Sequence, residues 1–238
     1  MTGTVRRRER VIQAHKVKRG DGRLPPLRAT TPGVENLEHD GPRGVSRRRI
    51  TLEGFYRLQE EAGGLCEFDA GRVLPPVAST QDHTDVVQET YLHLARQLGR
   101  KHPCEVHSAL MAVRSDAVDR VMRPDVSIVC GPREMVSGTN LAIVRNPRVV
   151  IEVLSDLTRA NDCGPKLRAY QAIPSVQEIV LMEQEAPLVT VYRRKPSGRW
   201  PDRPEVREGT NERTPLVSVS CVLRHRACYA KVLARRAR

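Results

Sequence analysis

The stretch Arg148-Val149-Val150-Ile151-Glu152-Val153-Leu154-Ser155 decides the fold. Residues 149–154 are apolar on both faces of an extended chain except at Glu152, the pattern of a central strand covered on both sides of a sheet. A carboxylate in such a run costs several kcal/mol unless a metal ion, a cation or several hydrogen-bond donors receive it. The competing reading is an edge strand whose Glu152 points to water.

Working outward, two more strands are expected before this one. They are CEVHSALMAVR (104–114) and VSIVC (126–130), the latter introduced by Arg123-Pro124-Asp125. After it, GPKLRAYQAI (164–173) predicts a helix, with Pro165 suited to a first turn. Strands follow over 176–182 and 188–192, separated by a polar turn near Glu185. Upstream, ITLEGFYRLQE (50–60) predicts a short helix, and LCEFDAGRVLPPV (65–77) a hairpin turning at Asp69-Ala70-Gly71. The clearest helix covers 82–98, with Asp82 as its cap and Gly99 as its stop. Val86, Val87, Thr90, Tyr91, Leu94 and Leu98 form its apolar stripe; His83 falls on that stripe and Glu89 on the opposite face.

Chemistry concentrates in the middle of this order. Asp125 sits where a loop meets an apolar strand, and acids on neighbouring strands, Asp125 and Glu152, can converge on one divalent cation. On the 164–173 helix Lys166, Tyr170 and Ile173 share a face, so Lys166 projects inward; the alternative is a lysine snorkelling to solvent. Two carboxylates and a lysine suit hydrolysis with a hard metal. Mg²⁺ takes oxygen ligands and keeps several waters, so two carboxylates and a phosphate oxygen suffice. Such an ion lowers the pKa of its water, while lysine stabilises developing negative charge.

The series Pro124-Asp125, Ile151-Glu152-Val153-Leu154-Ser155, Thr158, Asp162, Lys166, Tyr170 resembles the Uma-type family of restriction endonucleases, within the PD-(D/E)XK nuclease superfamily. The Glu67…Gly71 hairpin, His83 at a helix start and Ile173-Pro174-Ser175 fit the same resemblance, which covers residues 50–192. It implies an α/β restriction-endonuclease-like core, a mixed central sheet flanked by helices in the order helix, three strands, helix, strand. It further implies that Asp125 and Glu152 are metal ligands and Lys166 the displaced catalytic lysine. The cofactor implied is Mg²⁺, with Mn²⁺ as its substitute, and the substrate DNA. Leu154 departs from the superfamily signature, which has lysine two residues after the acid. His83 and Tyr170 are the accessory candidates: His83 either lines the site or is a satisfied core histidine. Glu67 lies on a hairpin strand that could approach the site, and Ser155 and Thr158 are expected to organise the loop after Glu152.

Charge divides the chain of 238 residues into three. Residues 1–49 carry a net +8, residues 50–192 a net −5 and residues 193–238 a net +9, for the total of +12. The expected organisation is therefore a basic, disordered extension (1–49), a nuclease-like domain (50–192) and a basic, disordered C-terminal segment (193–238). Such ends serve as electrostatic handles for nucleic acid or simply as solvated tails. No stretch approaches 18 consecutive apolar residues, which excludes a membrane-spanning helix, and no apolar segment follows Arg6–Arg10 to make a secretory signal. A cytoplasmic location is the default. In that setting the six cysteines argue against disulfides; none forms CxxC, and His102/Cys104/His107 and Cys221/His225/Cys228 are only partial zinc patterns. Two functions follow: a metal-dependent DNA endonuclease, with a homodimer as the arrangement that double-strand cutting needs, or a catalytically inactive nuclease-fold module that binds nucleic acid.

Overall fold

The computed structural model describes residues 49–237, and the N-terminal extension expected over 1–49 lies outside them except for Arg49. Elements follow in the order α1 (Leu52–Ala62), β1 (Glu67–Asp69), β2 (Arg72–Leu74), α2 (Gln81–Leu98), β3 (Cys104–Ser108), β4 (Ala112–Ser115), β5 (Arg120–Met122), β6 (Val126–Cys130), β7 (Ile143–Val144), β8 (Pro147–Leu154), α3 (Arg159–Asn161), α4 (Leu167–Gln171), β9 (Glu178–Glu183), β10 (Leu188–Arg193), β11 (Glu205–Glu208), β12 (Arg213–Leu216), β13 (Cys221–Arg224), α5 (His225–Cys228) and α6 (Ala230–Arg236). A π-helical turn, Asp162–Lys166, joins α3 to α4.

Six strands form the main sheet in the order β11-β10-β9-β8-β6-β3. The apolar run around Glu152 is β8, near its centre, antiparallel to β6 and parallel to β9. Strand alternation sorts its side chains. Val149, Ile151 and Val153 join a core shared with Val86, Leu94 and Leu98 of α2. Val150 and Leu154 join a second core with Leu167, Ala169 and Tyr170. Glu152 belongs by parity to this second face, the one covered by α4. The strand is thus buried on both sides, and Glu152 is 2% exposed, which eliminates the edge-strand reading.

Three expectations about the elements are corrected. The single strand expected over 104–114 is two, β3 and β4, and they belong to different sheets. Between them the chain turns at Ala109-Leu110-Met111, and β4 enters a second sheet of order β2-β1-β5-β4-β7. That sheet packs with Phe55 and Tyr56 of α1 in a third cluster. The cap of α2 is Thr80, whose hydroxyl accepts from the His83 N–H at 3.1 Å; Asp82 lies inside the first turn. The C-terminal segment is ordered. β11 pairs with β10, β12 with β13, and Leu216, Leu223, Tyr229 and Val232 are buried in the α2 core. Its apolar residues, diluted among Arg and Pro, are core despite the basic composition.

Cys104 and Cys130 face each other across β3 and β6 and are joined in a disulfide, against the expectation of free thiols. Cys66, Cys163, Cys221 and Cys228 are free. The hairpin turn behaves as expected: Ala70 and Gly71 both take positive φ, 45° and 93°, as a two-residue turn between twisted antiparallel strands requires.

Candidate active site

Asp125 immediately precedes β6, where the Val126–Ile151 pair places it opposite Glu152 on the neighbouring strand. Opposed residues of antiparallel strands leave the same face, so both carboxylates point toward the α4 side. The Val153 N–H donates to Asp125 Oδ2 at 2.7 Å, fixing that carboxylate against the β8 backbone. Pro124 suits this position, since it has no N–H to leave unpaired where the ladder begins.

From the helical side, the π turn carries Lys166 inward. One extra residue in a turn shifts the side chains that follow around the axis, and such turns recur at functional sites. Here it brings the Lys166 ammonium to 2.9 Å from Glu152 Oε1, the place that Leu154 cannot serve because it packs in the core. The same ammonium lies 3.0 Å from Glu67 Oε1 and 3.7 Å from Asp162 Oδ1, and donates to the Arg123 carbonyl at 3.4 Å. One turn on, the Tyr170 hydroxyl donates to Glu152 Oε1 at 2.6 Å. His83, in the first turn of α2, sets Nε2 3.3 Å from Asp125 Oδ2.

The five residues singled out by sequence, Asp125, Glu152, Lys166, His83 and Tyr170, therefore meet. Two more acids join them. Glu67, from the hairpin, accepts from the Arg123 N–H at 2.8 Å as well as contacting Lys166. Asp162 begins the π turn and is buried. Glu89 is elsewhere: it pairs with Lys231 at 3.1 Å. Ser155 and Thr158 bond each other at 3.1 Å, closing the loop after β8.

Four carboxylates around one lysine leave an excess of negative charge in a dry place. Burial, reinforced by Asp162 and Asp125, pushes the Glu152 carboxyl well above its ordinary range, although Lys166 and Tyr170 pull the other way. Asp162 is raised for the same first reason. Burial alone would discharge Lys166, but Glu152, Glu67 and Asp162 outweigh it and hold the ammonium protonated well above its usual range. Burial also opposes a charged His83, yet the hydrogen bond and charge of Asp125 leave its pKa raised.

This cluster floors a cleft of about 480 Å³. Among the described residues no three His, Cys, Asp or Glu side chains are gathered as a ready-made metal cage, and Lys166 stands between the acids. The hydrogen bonds to Asp125 and Glu152 fall on Oδ2 and Oε1 respectively. The acid excess, together with those one-sided contacts, fits a divalent cation held by these two carboxylates and otherwise by water and substrate oxygen.

Comparison with known proteins gives a consistent result. The family model described as Uma2, putative restriction endonuclease, matches residues 52–223. An uncharacterized protein of Synechocystis is 30% identical over 152 residues, 64% of this chain and 78% of that protein. A second from the same organism is 22% identical over 151 residues, 63% of this chain and 84% of the relative. The crystal structure of a putative nuclease from Anabaena variabilis superposes with a TM-score of 0.61 at 18% identity, covering 77% of this chain and 99% of that one. The match shows a shared fold, the mixed α/β sheet flanked by helices. Among the described residues, no helix is long and apolar enough to cross a membrane.

Proposed function

This chain belongs to the Uma2 family of putative restriction endonucleases, and from that premise we propose that it is a metal-dependent nuclease hydrolysing phosphodiester bonds of DNA. The observation that carries the reading is the meeting of Asp125, Glu152 and Lys166 at the floor of one cleft, with more carboxylate than the protein's own cation neutralises. Asp125 and Glu152 would hold the ion, Mg²⁺ or Mn²⁺. When bound, it would supply Lewis-acid polarisation of a phosphate oxygen and a more acidic water.

The remaining roles belong to side chains. The Val153 N–H and His83 fix the Asp125 carboxylate, and Tyr170 fixes that of Glu152. Lys166, kept charged by its acids, stabilises negative charge developing on the phosphate. Its three N–H donors are already engaged by Glu67, Glu152 and the Arg123 carbonyl, so it reaches a phosphate by giving up one of them. That full engagement is also what favours the second reading, a module that binds nucleic acid without cutting it.

Nicking of supercoiled plasmid separates the two. With Mg²⁺ or Mn²⁺ the parent is expected to cut, and Asp125→Ala and Glu152→Ala each to lose at least about a hundredfold. A calorimetric arm accompanies it: either ion should raise the parent's Tm, and Asp125→Ala should abolish the rise. No cutting with either ion, alongside salt-sensitive DNA binding, would establish the binding module instead.

A further inference from the structure

The walls of the cleft carry information that its floor does not. Leu65, Leu74, Pro76, Val77 and Leu157 line it above the acid cluster. Leu65, Val77 and Leu157 are 43%, 49% and 67% exposed, so three of the eight large apolar side chains exposed among the described residues ring this one opening. Scattered exposed leucines need no explanation; several at the mouth of a polar site do. Of the two arginines of the wall, Arg123 is engaged within the protein, donating to the carbonyls of Cys66, Ala109 and Leu110. Arg120 sits with Nε 2.9 Å from Asp69 Oδ1 but makes no hydrogen bond through Nε or Nη1; at 4% exposed it is buried rather than displayed at the mouth.

A duplex lying across this mouth would set its phosphates against an apolar rim and an acidic floor. Duplex DNA presents one negative charge per ~1.7 Å of its axis, and grip on it comes from lysine and arginine placed to meet that charge. The floor also lies deep: Glu152, Asp162 and Lys166 are 2%, 4% and 6% exposed. At about 480 Å³ the cleft is of the size that encloses a small ligand and has room for a nucleotide. An unpaired strand meets these conditions. It carries fewer charges per length, threads a narrow opening, and offers base faces that apolar side chains cover.

We propose that the cleft takes single-stranded or unpaired DNA, with the base beside the bound phosphate resting on the rim of Leu65, Val77 and Leu157. This rests on the nuclease reading for its phosphate site and adds to it the class of substrate.

The test uses the full chain with Ca²⁺, a short fluorescein-labelled single strand, and the same strand annealed to its complement. The single strand should bind about threefold to tenfold more tightly, from the apolar area that one base face covers on the rim. The double variant Val77→Ser/Leu157→Ser, whose side chains are exposed and outside the core, should lose most of that preference with an unchanged Tm. Equal or tighter binding of the duplex overturns the proposal. So does a rim variant that alters sedimentation but not strand preference, which would make the rim a contact between copies of this chain. A parallel digestion with Mg²⁺ compares single-stranded circles with relaxed duplex circles. Equal cutting of both would sink the strand preference and leave the nuclease standing. Strand-selective binding without cutting of either would do the reverse.

Discussion

Lys166 Nζ lies 2.9 Å from Glu152 and 3.0 Å from Glu67, with Asp162 at 3.7 Å, and the lysine, Glu152 and Asp162 are all buried. The consequences of removing a cation and removing an anion here are unequal. Lys166→Met strands three acids in a dry site, and breaking a buried pair from one side costs about 3–5 kcal/mol. Glu152→Gln keeps an acceptor for the Tyr170 hydroxyl, leaves Lys166 with two carboxylates, and relieves part of the acid excess; its cost should stay below about 1.5 kcal/mol. Urea unfolding in EDTA measures both, and a costlier glutamine variant would contradict an excess of acid around Lys166. Glu152 was legible because one polar residue interrupts an apolar run, and Lys166 because helical spacing turns it inward. Glu67 was legible only as a hairpin acid that could approach the site; its pairing with Lys166 was not, since it comes from a three-residue strand brought over by the second sheet, which no local pattern records.

At the scale of elements, α6 shows what became of the C-terminal charge. Its basic residues lie along α2: Arg235 pairs with Asp82 and Asp85, Arg236 with Asp82, and Lys231 with Glu89 and Asp85. Val232 is buried beneath them with Leu233 packed alongside, so the helix is held by its apolar side and its cations are matched by α2 acids. A cation already paired contributes little new counterion release on meeting a phosphate. Replacing Lys231 and Arg235 together by Gln should therefore leave DNA affinity within about twofold, with the slope of log affinity against log salt changed by less than about 1. Fluorescence anisotropy over a salt series checks this; a slope reduced by about 2 would mean that both residues are phosphate contacts after all. Strand and helix types were readable from periodicity over 126–130, 147–154 and 81–98. The break at Ala109-Leu110-Met111 was not, because an apolar segment that changes sheets looks the same in sequence as one that stays.

Over the described molecule, the main sheet has α4 and the acid cluster on one face and α2 with the C-terminal elements on the other. The C-terminal layer is part of the core rather than an appendage, and His225 is among its buried polar attachments. The side chain is fully buried, with Nδ1 2.9 Å from the Gly209 carbonyl and Nε2 2.9 Å from Thr214 Oγ1. A carbonyl only accepts, so Nδ1 carries the hydrogen, and neutral Nε2 accepts from the Thr214 hydroxyl. Protonation would put a second N–H where that hydroxyl donates. Burial holds the His225 pKa below its ordinary 6.5 despite the help of Gly209. The folded state thus binds fewer protons than the unfolded chain, so this residue's stabilisation is full above pH 6.5 and is lost as pH falls through the folded value. Other groups contribute to the pH dependence, His83 and Glu152, both raised, with the opposite sign, so the informative quantity is a difference between two proteins. Urea unfolding of the parent and of His225→Gln, in EDTA at about pH 7.5 and at about pH 5, supplies it. The parent's advantage over the variant should shrink on acidification. A difference that stays constant would show that His225 is not held neutral by its burial, and that the C-terminal layer is secured by its apolar contacts alone.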